Sequence, residues 1–421
     1  MTEWRRIQMR DLMVEFHDGP HATPAPANAG PIYLGIKNIT DAGVLDLRDI
    51  RHIGEADYAR WTRRATPEPG DVVFTYEATL HRYALIPDGF RGCLGRRLAL
   101  IRPDRSVVLP RFLHFLMLGP TWRATVTDRI ISGSTVDRIP IIEFPEFPID
   151  LPGLATQHAV VGVLGALDDL IENNRRRIEL LEQMGQAIYR EWFVRFRYPG
   201  HEDATLVDSP LGLIPEGWEV KPLAAIVNLD RTAVQPRRFP GEVFDHYSIP
   251  AFDSGRLPVI DAGETIKSGK FLLTSPAVLV SKLNPRIERT WFVELGSHRR
   301  SVASTEFLIL RPQAGFSLEF LYLLTRSSSF QERMRELSGG TSTSHQRAKP
   351  ADFLGIEIVA PPVLLADQLV DAVASQLRMA RIFRVEASRL AAIRDLLLPK
   401  LVTGQIEVSK LDLDAVVESV A

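Results

Sequence analysis

Two hydrophobic periods alternate along the chain, and the alternation happens twice. Over residues 154–194 apolar side chains recur at Leu164, Leu167, Ile171, Ile178, Leu181 and Ile188, mostly in steps of three and four. Over residues 365–398 the same spacing returns at Leu369, Val373, Leu377, Ala380, Phe383, Ala387, Leu390 and Ile393, with no Pro or Gly before Pro399. A stripe sustained over about three to four heptads marks a long helix that buries one face against another helix. Two such stripes in one chain predict an antiparallel coiled coil made by the chain with itself, with Asn174 as a polar interruption of the first seam. Gly162 and Gly165 each cost roughly 1 kcal/mol relative to Ala, which predicts a frayed or bent first turn. Elsewhere the period changes to short β-branched runs punctuated by Gly and Pro. Residues 71–76, 98–101, 278–281, 290–293 and 307–310 read as strands. One amphipathic helix is expected in each half, at 111–128 and 317–337.

The halves also resemble each other in sequence. Trp4-Arg-Arg-Ile7 is echoed by Trp218-Glu-Val-Lys221, Leu100-Ile-Arg-Pro103 by Ile309-Leu-Arg-Pro312, and Phe112-Leu-His-Phe-Leu116 by Phe320-Leu-Tyr-Leu-Leu324. Residues 70–76 align with 275–282, Ile131-Ser-Gly-Ser-Thr135 with Leu337-Ser-Gly-Gly-Thr341, and Leu154-Ala-Thr-Gln157 with Leu365-Ala-Asp-Gln368. Six weak matches in one order, at nearly constant offset, predict a tandem duplication. The expected fold is mixed α/β (α+β), with globular domains at 1–150 and 215–360 and helical spacers at 151–198 and 361–405. A linker rich in Pro, Gly and acidic residues occupies 199–214, and a tail runs over 406–421.

Composition narrows the class. A chain of 421 residues, 45% hydrophobic and 24% charged, has room for two or three globular domains. Its one cysteine, Cys93, excludes a disulfide framework within the chain. No uninterrupted apolar run of about 18 residues and no secretory h-region is present, so a cytoplasmic protein without a membrane span is expected. The net charge of −2 and pI of 6.6 argue at first against nucleic acid. The average hides a local surplus: positions 250–350 hold fourteen basic and nine acidic residues.

The search for catalytic groups is nearly empty. Gly263 to Lys270 imitates a phosphate loop, but its glycines are one residue too far apart and Phe271 stands where a Ser or Thr would hold Mg²⁺. His17 and His21 have the spacing of a helical zinc site, yet Gly19-Pro20 between them would break that helix. Asp208, Glu219 and Lys221 follow the order of a Mg²⁺-dependent nuclease, although Asp208 falls in the linker and Trp218-Glu-Val-Lys221 already opens the second repeat. There is no Gly-x-Ser-x-Gly elbow, and Asn284-Pro285-Arg286 lacks the aromatic residue that a base-amino methyltransferase motif needs. Basic and hydroxyl-rich loops are better represented. Lys282, Asn284, Arg286 and Arg289 form a candidate groove-reading loop. Thr341, Thr343, His345, Arg347 and Lys349 form a second one, with Ser132, Thr135 and Arg138 as its counterpart in the first half. Lys37, Asn38 and Arg82, which follows His81, are the remaining candidates there. A solvated charged loop explains the first of these equally well, a plain flexible turn is the alternative for the second and its counterpart, and core-edge polar residues are an equally good account of Lys37, Asn38 and Arg82.

At the helices a family resemblance emerges. Leu167-Asp-Asp-Leu-Ile-Glu-Asn-Asn174, Arg175-Arg-Arg177 and Ala187-Ile-Tyr-Arg-Glu-Trp-Phe-Val194 resemble the central conserved region of type I restriction–modification specificity subunits. Arg394-Asp-Leu-Leu-Leu-Pro-Lys-Leu-Val-Thr-Gly-Gln-Ile406 resembles their distal conserved region, and Ile214-Pro-Glu-Gly-Trp218 the usual start of a target-recognition domain. The resemblance implies two such domains, each reading half of a split double-stranded DNA target, with the helices setting the spacer. A helix of about 27 residues would span ~40 Å, close to the ~34–36 Å turn that separates half-sites. It implies two modification subunits, a motor-nuclease restriction subunit, and S-adenosylmethionine, ATP and Mg²⁺ held by those partners. This chain would hold no cofactor and catalyse nothing. The rival readings are an assembly scaffold whose globular domains bind peptides, and a self-contained nuclease.

Overall fold

The structure, a computed structural model, describes residues 4–133, 136–296, 298–337 and 346–411. It resolves into two compact units, one made of Met1–Ile171 with Arg389–Ala421 and the other of Glu172–Ser388. Each unit therefore draws on both long helices, and neither is a simple half of the sequence.

In the first unit an antiparallel four-stranded sheet has the order Met13–Asp18, Leu98–Pro103, Val72–Thr75, Tyr83–Leu85. Its buried side chains, Phe74 and Ile101 among them, meet Phe112, Phe115 and Trp122 from the short helices Pro110–Leu118 and Pro120–Thr127. Phe144 stacks on Phe74 at 4.8 Å and stands edge-on to Trp122 at 5.7 Å. A smaller sheet pairs Ala27–Leu34 in parallel with Gly92–Leu94. The strand Arg5–Gln8 pairs with Pro148–Leu151, tying the two ends of the domain together.

The second unit repeats this plan strand for strand. Its antiparallel sheet runs Val227–Asp230, Phe307–Pro312, Ala277–Ser281, Thr290–Val293. Its second sheet, now five-stranded, keeps the parallel pairing as Val243–Tyr247 with Arg300–Ser304. The strand Glu219–Pro222 pairs with Glu357–Ala360 as Arg5–Gln8 does with Pro148–Leu151. All five strands expected from the sequence are present.

Each expected amphipathic helix is instead two short ones. Pro110–Leu118 and Pro120–Thr127 are separated at Gly119; Leu318–Arg326 and Ser328–Glu336 are separated at Ser327. The two break residues share one extended conformation, φ −70° and ψ 158° at Gly119 and φ −64° and ψ 148° at Ser327. Pro120 enforces the break in the first copy, because it disfavours a helical residue before it and fits a first helical position. In the second copy the Ser327 hydroxyl does so, accepting from the Phe330 N–H as an N-cap.

The long helices run over Leu154–Tyr189 and Val363–Leu401, 36 and 39 residues. At ~1.5 Å per residue they rise about 54 and 58 Å, more than the 27-residue expectation. The central helix widens at its end into a π-helical turn, Arg190–Val194. The helix runs unbroken through Gly162 and Gly165. Gly165 lets Arg111 pack closely: a Cβ would sit 3.1 Å from its guanidinium, which donates to the Gly165 carbonyl at 3.0 Å and to Asp169 at 2.7 Å.

Of the expected seam, Leu164, Ile171, Val373 and Ala380 are buried, and Leu167, Ile178, Leu181, Leu377, Phe383 and Leu390 are half-buried. Asp168 pairs with Arg394 in the first unit and Glu182 with Arg384 in the second, the reversed order of an antiparallel pair. Asn174 is 3% exposed, and its Nδ2 finds no hydrogen-bond partner.

The expectation of no membrane-length apolar segment needs qualifying. Leu154–Val194 contains an 18-residue window of mean hydropathy 1.2, long and apolar enough to span by length and composition. That character has a local explanation, because Val160 and Leu164 enter the first core. The segment read as a linker contains a hairpin, Leu206–Ser209 with Gly212–Pro215.

Candidate nucleic-acid interface

The first basic loop of the second half is joined at its base to residues 346–348, at the end of the second. Leu283 bridges Arg347, the Asn284 N–H donates to the Gln346 carbonyl at 2.8 Å, and the Ala348 N–H donates to Lys282 at 3.0 Å. Arg347 closes the junction by gripping both oxygens of Glu306 at 3.0 Å. Asn284 turns the chain with φ 50°, in the left-handed region that Asn tolerates better than most residues.

The first unit contains the same junction. Glu77 bridges Arg138, the Ala78 N–H donates to the Asp137 carbonyl at 3.1 Å, and the Ile139 N–H donates to Tyr76 at 2.8 Å. Ala78 occupies the position of Asn284 with φ 70°, strained for an alanine and retained nonetheless. The far ends of the loops match too. Thr75 N–H donates to the Arg82 carbonyl and Ser281 N–H to the Arg289 carbonyl, both at 3.0 Å. Arg82 is clamped by Asp41, Nε to Oδ1 at 2.7 Å, and Arg289 by Asp253 with the same atoms at the same distance. Both copies thus hold one loop rigidly at its base and leave its crest to vary.

This architecture sorts the expected contact residues. Arg289 is an anchor and not a reader: its side chain is 11% exposed and bound twice by Asp253. Arg82 serves the same purpose. Asn38 is also a correction. It is 1% exposed, donates to the carbonyls of Asp46 and Asp49 at 3.0 and 3.1 Å, and accepts from the Gly35 N–H at 2.9 Å. An amide so satisfied staples its loop and has nothing left for a base. Lys37 is paired with Asp49. Arg286, Lys349, Arg138 and Ser132 are exposed, and among the described residues none of the three cations has a carboxylate partner; Lys282 is half-buried and likewise unpaired. Thr135, Thr341, Thr343 and His345 lie outside the described residues.

The basic surplus of residues 250–350 is partly spent inside the fold. Seven of its fourteen cations, Arg256, Arg289, Arg299, Arg300, Arg311, Arg326 and Arg347, hold carboxylates. The most enclosed of these pairings escaped the sequence reading. Glu182, 9% exposed on the central helix, receives Arg384 at 2.7 Å, Arg256 at 2.9 Å and Arg326 at 3.0 Å. Burial alone would raise its pKa, but Arg326, Arg256 and Arg384 together bring it down to about 2. One carboxylate thereby joins both long helices to the globular part of the second unit. Its only sequence signal is a Glu beside an apolar seam, which surface helices show routinely.

A matched pair of aromatic contacts ends each long helix. Trp218 packs among Phe193, Phe196 and Tyr198, with Phe196 at φ 58°. Trp4 lies against Gly404, whose φ is 69° and where a Cβ would approach the Trp4 ring to 2.5 Å. The tryptophans that opened the sequence repeat thus have equivalent duties.

The rival chemistry finds no support among the described residues. Glu219 is bound by Lys221 at 2.6 Å, and Asp208 lies on the linker hairpin. His17 belongs to a strand, His21 pairs with Asp18, and no group of three or more His, Cys, Asp or Glu could hold a metal ion.

No family model matches the chain. Over 414 residues it is 24% identical to the type I restriction enzyme MjaIX specificity subunit of Methanocaldococcus jannaschii, covering 94% of this chain and 88% of that protein. It is also 24% identical to the type I restriction enzyme HindI specificity subunit of Haemophilus influenzae, over 73% of this chain and 80% of the relative. The crystal structure of the type I restriction–modification S subunit from M. genitalium shares the fold, with a TM-score of 0.57 at 14% identity, covering 95% of this chain and 96% of that one. Along nearly its whole length the chain is thus similar in sequence to type I restriction enzyme specificity subunits and shares the fold of an S subunit.

Proposed function

We propose that this chain is the sequence-reading subunit of a type I restriction–modification complex. Each globular domain reads one half of a bipartite duplex target, and the paired helices set the unread spacer. The observation that carries the reading is the duplicated loop junction. One backbone arrangement, with one left-handed turn and one Arg–Asp clamp, is built twice with different crest residues, as expected of one device adapted to two half-sites. Arg286, Lys282 and Lys349 supply phosphate and guanine donors in the second copy, and Arg138 in the first.

The chain contributes recognition, and the chemistry enters with partners. Two modification subunits bring S-adenosylmethionine, and a restriction subunit brings ATP- and Mg²⁺-dependent translocation and cleavage. Exposed apolar residues on the long helices, Leu180 and Met184 on one and Met379 and Ile382 on the other, give the modification subunits something to bury. The complex works in the cytoplasm. Methylome sequencing of the host with and without this gene tests the reading. A split motif should lose methylation in the deletion strain, and an unchanged methylome would contradict the proposal. A peptide-binding scaffold predicts DNA binding that is absent or insensitive to salt.

A further inference from the structure

Each copy of the duplication leaves a cleft where the break between its two short helices meets the end of a long helix. The two clefts differ in chemistry. In the first unit the space, about 170 Å³, lies against Trp4, Leu116, Gly119, Trp122 and Val402 and is mainly apolar. In the second unit it is about 340 Å³ and bordered by Arg190, Arg286, Arg326 and Arg335, with Ser327 and Ser328 at the helix break.

The single acid on the border, Glu288, is already engaged by Arg326 Nε at 2.7 Å. Arg326 Nη1 is committed to Glu182 and to the Tyr322 hydroxyl, at 3.0 and 2.7 Å, which leaves Nη2 with no partner among the described residues. A guanidinium held on two sides with its third nitrogen unused is a preorganised donor. Arg190 and Arg286 are exposed and have no carboxylate partner among the described residues. The helix Ser328–Glu336 begins at this cleft. Its Ser327 cap takes the Phe330 N–H, and the backbone N–H groups of Ser328 and Ser329 have no partner among the described residues and remain available to an anion.

The geometry points to a phosphodiester-binding site here, one that grips the DNA backbone beside the second half-site through Arg190 and Arg326. This rests on the DNA-reading function proposed above. Arg286 borders both the cleft and the crest of the reading loop, so a phosphate held in the cleft fixes the register in which that loop meets base edges. Phosphate contacts of this kind position and do not specify. The apolar cleft of the first unit predicts that the second unit makes the stronger backbone contact.

The test uses the complex with its modification subunits, anisotropy titrations on a cognate duplex and on one scrambled in the half-site read by the second domain, and a range of salt concentrations. Arg190→Ala should weaken both duplexes by a similar factor, roughly fivefold, and make the log K against log[salt] slope shallower by about 1. Arg190→Lys should keep the slope, and melting curves should show both variants folded. Unchanged affinity and slope, or a loss confined to the cognate duplex, would overturn the site. So would loss of inorganic phosphate binding with DNA affinity intact, which would mark a small-anion pocket. Failure of the wild-type complex to bind either duplex would instead overturn the DNA-reading function itself.

Discussion

At the scale of single residues, stability and recognition are divided between neighbours. Glu182 is a stability residue. Its folded pKa lies at about 2, below the ordinary carboxyl value of 4.5, so its contribution is full above about pH 4.5 and is lost as the pH falls toward 2. Glu182→Gln leaves Arg256 and Arg384 without their counter-charge and Arg326 with Glu288 alone, and should cost about 3–5 kcal/mol at neutral pH. Denaturant unfolding at a series of pH values checks this: the gap from wild type should be largest near pH 7 and should narrow below pH 4.5. Arg286 and Arg289 make the opposite pair of predictions although only three residues apart. Arg289→Ala should lower the melting temperature, because it strands Asp253 and frees the loop base. Arg286→Ala should leave melting within about 0.5 kcal/mol of wild type, as surface substitutions usually do, and weaken DNA binding. Thermal melts alongside anisotropy separate the two.

At the scale of elements, the long helices depend on packing more than on propensity. Asn174 is the exception in the seam, a buried donor with no acceptor. An unmade hydrogen bond of this kind costs about 1–3 kcal/mol, so Asn174→Leu should raise the melting temperature of the second unit. A fall would mean that Asn174 has a partner in the assembled complex. Much of this level was legible in the sequence. Short β-branched runs bounded by Gly and Pro marked Val72–Thr75, Ala277–Ser281 and Phe307–Pro312 within a residue or two, and the heptad stripes marked both long helices. What stayed hidden were features set by contacts distant in sequence. Ser327 breaks a helix through its own N-cap, Gly165 gives Arg111 a close seat, and the Ala78 and Asn284 turns are fixed by segments arriving some 60 residues later. Among the candidate site residues, charge identified Arg286, Arg138 and Lys349 as exposed, but it could not separate them from Arg289 or Asn38, whose partners are brought in by the fold.

At the scale of the whole molecule, near-neutral net charge becomes intelligible. Among the described residues at least half of the cations in the most basic stretch hold carboxylates, while Lys282, Arg286 and Lys349 remain unpaired with acids at the loop junction. DNA binding by the isolated chain should therefore be weak and steeply salt-dependent. Removing four residues from each long helix shortens it by ~6 Å and should shift the preferred spacer by about two base pairs. Methylation of targets with graded spacers reads this directly, and an unchanged preference would refute the helices as a ruler.

The central claim, that two copies of one loop device read two different half-sites, is tested most directly by methylation of targets scrambled in one half or the other. Complexes carrying Lys282→Ala with Arg286→Ala should lose discrimination at one half-site only, and complexes carrying Arg138→Ala at the other only. Equal loss at both half-sites from either variant would contradict the account.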